Sequence, residues 1–93
     1  MLLITCPCCG YKSIYGEYNI CHICYWEYEI NGYSHPDWQF GANGDTSLRQ
    51  AQKNYLKFGA CDEVCRERAQ KPGPEDIRDS NWRILEDNTD PAK

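Results

Sequence analysis

The sequence contains no long hydrophobic run. Its mean hydropathy is −0.77, and no apolar stretch approaches the roughly 18 residues that a membrane-spanning helix requires. Residues 1–5 are too short to form the apolar core of a secretory signal, and no basic residue precedes them. We therefore expect a protein with no membrane partner and no signal peptide, located in the reducing cytoplasm.

Basic residues are scarce in the first half of the chain. Lys12 is the only base among residues 1–46, so the formal charge of −4 of the whole chain lies entirely in this half. The acids there are Glu17, Glu27, Glu29, Asp37 and Asp45. Phosphate binding requires several lysine or arginine side chains on one face. The charge distribution therefore disfavours nucleic acid as a partner for this half.

The chain is also short, which limits its core. At 93 residues it has room for one domain, and a domain of this size buries only about 60–65% of the surface that the unfolded chain exposes. Seven cysteines offer a second source of stability. An odd number does not suit a pure disulfide framework, and clustered cysteines in a reducing compartment more often bind metal. The sequence predicts a single metal-stabilised domain over residues 1–93.

Two pairs of cysteines have the spacing of a metal site. Two residues separate the cysteines of each pair and eleven residues separate the pairs, which are Cys6 and Cys9, then Cys21 and Cys24. Each turn brings two thiolates to one ion, and two such turns complete the tetrahedral sulfur cage of a structural zinc. Pro7 stiffens the first turn, and Gly10 lets its backbone curl toward the sulfurs. We predict one structural zinc ion held by these four cysteines; iron, which four thiolates also hold, is the alternative.

Three cysteines and two histidines lie outside this predicted set. Cys8, inside the first turn, either replaces its neighbour as a ligand, is a reactive thiol near the metal, or is a bystander, and we favour the last. Cys61 and Cys65 are four residues apart and are expected to fill the core from one helix face. His22 and His35 are expected at the surface, because the thiolates are better placed as ligands.

The predicted fold class is a small α+β domain. Tyrosine and isoleucine are frequent over residues 11–20, and Gly16 interrupts them, which predicts a small hairpin. The expected architecture is a zinc-ribbon-like β-hairpin followed by two helices. Its parts are a zinc-ribbon-like half (1–30), an ordered loop (31–46), a helical half (47–71) and a polar tail (72–93).

Capping signals define the predicted helices. Ser47, with Gln50 three residues later, has the form of a capping box, and Gly59 is suited to end the helix in a left-handed conformation. A second, shorter helix is predicted over residues 62–71, ended by Pro-Gly-Pro. The apolar stripe of the first helix consists of Leu48, Ala51, Tyr55 and Phe58.

Large apolar side chains also mark the loop and the tail. Tyr33, Trp38 and Phe40 are expected to pin the loop to the body. The tail is polar except for an anchoring trio, which is Trp82, Ile84 and Leu85. Residues 87–93 are expected to be disordered.

Three segments together resemble the bacterial cysteine-rich CPCC proteins. They are residues 6–11 (CPCCGY), residues 21–27 (CHICYWE) and the stretch 41–61, which contains GANG, SL, NY and FGAC. The resemblance covers residues 5 to about 72 and implies a small zinc-ribbon-like module with a helical C-terminal part, but no proven activity. His22 stands where members often have proline, a change that keeps the ligands. Similar proteins are sometimes encoded beside toxin genes as suspected immunity proteins, and the FGAC match suggests a special role for Cys61.

The acidic, aromatic first half favours a non-catalytic module that binds another protein. Opposite charge speeds encounter with a basic partner, and aromatic side chains supply anchors. Together with the resemblance, this predicts an immunity protein that neutralises a basic toxin domain such as a nuclease. The predicted partner-binding residues are Glu27, Glu29, Tyr33, Asp37 and Trp38.

Two other classes of function are weighed against this one. The first is a nucleic-acid-binding zinc ribbon or transcription accessory factor, which the acidic charge of the first half opposes. The second is a thiol redox enzyme, because a C-x2-C turn can be redox-active. No βαβ pattern frames either cysteine pair and no catalytic triad is evident, so we expect no enzymatic activity.

Overall fold

The computed structural model describes residues 3–29, 35–37, 39 and 41–85. Within them it contains two short strands, β1 (Ile4–Thr5) and β2 (Lys12–Ile14), one α-helix, α1 (Leu48–Phe58), and a 3-10 turn at Glu63–Cys65. No helix in this part of the chain has both the length and the apolar content needed to cross a membrane.

The predicted hairpin exists, but its strands lie earlier in the chain than expected. β1 pairs antiparallel with β2, with Ile4 opposite Ile14 and Thr5 opposite Lys12. The chain therefore reverses at the first cysteine turn and not at Gly16. Gly16 instead accepts a hydrogen bond from the backbone of Asn19 in a separate tight turn. The reversal lies at the cysteine turn because backbone hydrogen bonds within that turn, between Cys6 and Tyr11 and between Gly10 and Cys6, stabilise it.

Helix α1 begins and ends where the capping signals predicted. The Ser47 hydroxyl accepts a hydrogen bond from the backbone N–H of Gln50 at 3.1 Å. Gly59 has φ = 80° and donates its N–H to the carbonyl of Tyr55 at 2.9 Å. In such a left-handed cap, glycine avoids the clash that a Cβ would introduce. The helix buries Leu48 and Ala51, as the apolar stripe predicted, and also Gln52.

The predicted second helix over residues 62–71 is wrong. Asp62 caps only the short 3-10 turn at Glu63–Cys65, where its carboxylate accepts from the N–H of Val64. The N–H of Gln70 then donates to the carbonyl of Ile23, inside the second cysteine turn, at 2.8 Å. This long-range bond replaces the i→i−4 bond that a helix needs. A short helix has little stability of its own, so a tertiary contact of this kind decides the local conformation.

The core is built largely around sulfur. Among the described residues, eleven form the buried cluster and six of them are cysteines: it consists of Cys6, Cys8, Cys9, Cys21, Cys24 and Cys61 with Ile14, Ile23, Trp26, Leu48 and Ala51. A core with so few large aliphatic side chains supplies limited hydrophobic stabilisation. The cysteine cluster therefore occupies the position that a conventional apolar centre would fill.

The tail returns to the hairpin. The backbone N–H of Asp79 donates to the carbonyl of Gly10, and that of Lys12 donates to the carbonyl of Ile77, both at 2.8 Å. Of the predicted anchoring trio, Leu85 packs against the core and Trp82 contacts the first cysteine turn, whereas Ile84 is exposed. The predicted disorder of residues 87–93 and the positions of Tyr33, Trp38 and Phe40 in the loop fall outside the described residues.

Candidate metal centre

The two cysteine turns have the same backbone construction. In the first, the N–H of Cys6 donates to the carbonyl of Tyr11, and the carbonyl of Cys6 accepts from Gly10, both at 2.8 Å. In the second, the N–H of Cys21 donates to Trp26 at 2.9 Å, and its carbonyl accepts from Tyr25 at 3.0 Å. These equivalent bonds close both turns around a central C-x2-C pair. The two turns therefore present their sulfurs in the same way.

The residue after each pair adopts a left-handed conformation. Gly10 has φ = 83° and Tyr25 has φ = 71°. Glycine accommodates this conformation without strain, whereas a side chain there costs about 1–2 kcal/mol. The first turn therefore has the residue type that its backbone favours, and the second keeps the same geometry at some cost.

The four sulfurs form one compact group. Cys6 Sγ lies 3.6 Å from Cys24 Sγ, and Cys9 Sγ lies 3.8 Å from Cys21 Sγ. All four sulfurs are within 4.8 Å of one another and all four residues are buried. A tetrahedral zinc site with bonds of about 2.3 Å has sulfur–sulfur edges of about 3.8 Å. The spacing therefore fits a single tetrahedrally coordinated ion, with close sulfur pairs that link one turn to the other.

Two further groups make hydrogen bonds with the sulfur of Cys21. The backbone N–H of Ile23 donates to its sulfur at 3.3 Å. The hydroxyl of Ser13, a buried residue of β2, lies 3.0 Å from the same sulfur. Such donors stabilise a thiolate and orient it toward a metal ion. The sequence analysis missed Ser13, because β-strand pairing brings it to the second turn and no local spacing marks it.

The protonation of the group is uneven. Burial raises the pKa of the Cys6 and Cys24 thiols well above its ordinary value. Hydrogen bonds from the thiols of Cys24, Cys6 and Cys9 lower the pKa of Cys21. Protein groups alone thus favour the thiolate at Cys21 over one at Cys6 or Cys24. A divalent ion would supply the positive charge that allows all four to ionise.

The remaining cysteines are not part of this group of four. Cys8 is buried. Its thiol donates a hydrogen bond to the carbonyl of Ala51, a residue of helix α1, at 3.4 Å. Burial also raises the pKa of its thiol. Cys61 is buried and donates its backbone N–H to the carbonyl of Cys24 at 2.9 Å, while Cys65 is half-buried. The group of four thus excludes all three.

Both histidines are exposed and lie outside the sulfur group. Nε2 of His22 is 2.8 Å from a carboxylate oxygen of Asp76, with which it forms a surface pair. His35 is exposed. Among the described residues, only the four cysteines form a cluster able to hold a metal ion.

The predicted partner-binding acids have contacts within the chain. The carboxylate of Glu29 accepts from the backbone N–H of Ala42 at 3.1 Å. Asp37 pairs with Arg49 at 2.9 Å. Asn43 holds the backbone of Glu27 with two hydrogen bonds of 2.9 Å. Tyr33 and Trp38 lie outside the described residues, so the predicted patch remains a prediction.

Two side chains that the sequence analysis did not assign to the site brace the first turn. Gln52 and Trp82 both donate to the carbonyl oxygen of Pro7, each at 2.8 Å. Gln52 is fully buried. Its position next to Ala51, a residue of the apolar stripe of α1, was the sequence signal that could have indicated its burial. A glutamine is, however, ordinarily expected at the surface.

The model of the family described as Cysteine-rich CPCC matches residues 4–76. This range holds all seven cysteines and ends before the residues of the tail that contact β2 and the first turn. No curated protein matches the chain.

Proposed function

The chain belongs to the cysteine-rich CPCC family, and from this premise we propose that it is a non-catalytic module, stabilised by one structural zinc ion, that binds a basic partner protein. The observation that carries the proposal is the closed group of four buried sulfurs. Four sulfurs complete the coordination of a tetrahedral ion and leave no position for water or substrate. Such a site serves folding.

Zinc suits the position of this group. The sulfurs lie in the middle of a core that is otherwise small, so metal binding is converted directly into folding stability. Structural zinc contributes apparent binding free energies of about 10–16 kcal/mol at neutral pH. When bound, the ion would supply charge compensation and four bonds between the two turns.

Electrostatics support a basic partner. Four thiolates with a divalent ion carry a formal charge of −2, which adds to the −4 of the chain. Opposite charge on a partner raises the association rate and disfavours acidic competitors. In this proposal Glu17 and Asp45, which are exposed, contribute to the acidic field.

We assign the partner to the toxin class, with a nuclease domain as the example, and the chain to the role of its immunity protein. Nucleases need basic surfaces to grip phosphates, and an acidic inhibitor complements such a surface. The reducing cytoplasm would keep the thiolates available to metal.

A second candidate function, nucleic-acid binding, has one observation in its favour. A groove of about 410 Å³ lies beside the end of α1 and contains three bases, Lys57, Arg66 and Lys71, with the rings of Tyr55 and Phe58. None of the described residues that line it is an acid. Basic side chains with aromatic rings are the usual components of single-strand binding surfaces.

Two measurements on the same purified protein separate these candidates. In the first, the immobilised chain captures proteins from its native cells, and the charge-reversed variant Glu17→Lys/Asp45→Lys is the control. The proposal expects a basic protein that the variant captures less well. Glu29→Lys is unsuitable here, because Glu29 holds Ala42.

In the second measurement, DNA and RNA are titrated at several salt concentrations, with Lys57→Glu/Lys71→Glu as the control. The proposal expects no tight binding. Tight binding that weakens steeply with salt and is lost in the lysine variant would replace the protein-binding function by the nucleic-acid function.

A further inference from the structure

A small cavity lies between the first cysteine turn and the tail. Its volume is about 230 Å³, and it is lined by Thr5, Pro7, Tyr28, Asp79, Asn81 and Trp82. Among the described residues, the lining contains one acid, no base and two aromatic rings. Its polar and aromatic groups therefore suit a positively charged side chain that has an apolar stem.

The tryptophan wall of this cavity is held rigidly. The indole N–H of Trp82 donates to the carbonyl of Pro7 at 2.8 Å. Its ring lies so close to Gly10 that a Cβ at that position would be 2.7 Å from two ring carbons. The guanidinium of Arg78, which is not a lining residue, lies 5.4 Å from the ring centre. The wall is thus fixed before any ligand arrives.

The carboxylate of Asp79 is also oriented in advance. One oxygen accepts from the hydroxyl of Thr5 at 2.6 Å and the other accepts from the backbone N–H of Asn81 at 2.9 Å. These bonds lower the pKa of Asp79, so it is ionised at neutral pH. A carboxylate oxygen has two lone-pair positions. Each oxygen therefore keeps one free, as a bidentate guanidinium requires.

We propose that this cavity binds an arginine side chain, and, building on the proposed function, that this arginine belongs to the basic partner protein. The guanidinium fork pairs with the two free positions on Asp79, and Tyr28, Trp82 and Pro7 enclose the stem. Lysine offers a single ammonium point charge and cannot form the fork. The volume accommodates one side chain.

The cavity also accounts for a role of the tail. The family match ends at residue 76, whereas three of the lining residues, Asp79, Asn81 and Trp82, come after it. The tail thus adds a recognition element outside the residues that the family model matches.

The first test uses the zinc-loaded full chain and three capped tripeptides, Gly-X-Gly, in which X is arginine, lysine or citrulline. Backbone and indole NMR signals report binding. The arginine peptide should shift the signals of Thr5, Asp79 and the Trp82 indole in a saturable way, and the lysine peptide should bind more weakly. Citrulline keeps the shape of arginine without its charge and should leave these signals unchanged. Equal shifts with citrulline, or shifts elsewhere only, would overturn the proposal.

The second test compares two variants that each remove one negative charge from the same part of the chain. Asp79→Asn should weaken arginine-peptide binding by about tenfold, since a bidentate charged pair is lost. Glu75→Gln, an exposed acid outside the cavity, should bind as the unmodified chain does. Equal loss of arginine-peptide binding in both variants would mean that only the net charge of the chain matters, and it would overturn the proposed arginine site. Zinc content and melting temperature verify that Asp79→Asn is folded. If it is not, the citrulline comparison still tests the proposal, because it uses the unmodified chain.

The outcome is separable from that of the proposed function. Arginine binding that depends on Asp79 supports the cavity even if no partner protein is captured, a result that would count against the proposed function alone. If the chain captures a basic partner but does not bind the arginine peptide, the proposed arginine site is wrong and the proposed function stands.

Discussion

Gln52 and Pro7, which lie 45 residues apart, are joined by a buried hydrogen bond of 2.8 Å from the glutamine amide to the proline carbonyl. The other end of the same amide accepts the backbone N–H of Leu85 at 2.7 Å. One side chain of α1 therefore connects the first cysteine turn to the tail. The first cysteine turn of the candidate metal centre is braced from outside by this contact as well as by its own backbone bonds.

Replacing Gln52 by leucine should destabilise the fold without changing the metal content. The substitution nearly preserves volume but leaves the N–H of Leu85 without its side-chain acceptor, at a cost of about 1–3 kcal/mol. Thermal or denaturant unfolding measures the change. Gln50→Leu, an exposed position on the same helix, is the matched control and should stay within about 0.5 kcal/mol of the parent. Equal stability of both variants would contradict the bracing role.

Replacing Cys21 by serine should remove the metal and unfold the domain. Three remaining thiolates lose most of the folding-linked binding free energy, which is about 10–16 kcal/mol for a complete zinc site. Elemental analysis should find about one zinc per chain in the parent and in Cys65→Ser, the control. Circular dichroism should show a folded control and an unfolded Cys21→Ser. An iron chromophore in the parent would show that the metal was misidentified.

Cys8→Ser should keep one metal ion per chain. The sulfur of Cys8 donates to the carbonyl of Ala51 and is not among the four clustered sulfurs, and a serine hydroxyl can make the same hydrogen bond. We expect a loss of stability of about 1–2 kcal/mol from burial of a more polar group. Loss of the metal in this variant would mean that Cys8 is a ligand and that the first turn is assigned wrongly.

Gly10→Ala should be more harmful than Gly44→Ala. Both glycines have positive φ, 83° and 64°, so both variants bear a left-handed backbone cost of about 1–2 kcal/mol. Only at Gly10 would the new Cβ also strike the ring of Trp82, at 2.7 Å, whereas nothing lies within 4 Å of a Cβ at Gly44. Unfolding free energies give the difference, and the Trp82 indole NMR signal should shift in Gly10→Ala alone. Equal losses would mean that the ring is free to move away.

The sequence by itself determined the features that depend on neighbouring residues. A C-x2-C turn requires only a few residues, so its spacing was enough to locate all four sulfurs that the structure brings together. The capping signals at Ser47 and Gly59 are equally local, since each cap bonds to a backbone group three or four residues away. Both ends of α1 could therefore be predicted.

Only the tertiary structure decided the features that depend on distant contacts. The predicted second helix is replaced by a 3-10 turn, and Gln70, near its predicted end, donates its N–H to Ile23 in a distant part of the sequence. The hairpin pairs β2 with β1, and Ser13 thereby reaches Cys21. Trp82 reaches Pro7 across 75 residues and completes a cavity that no local pattern indicates. In each case the partner is chosen by packing around the sulfur cluster, and one sequence does not reveal which distant groups will meet there.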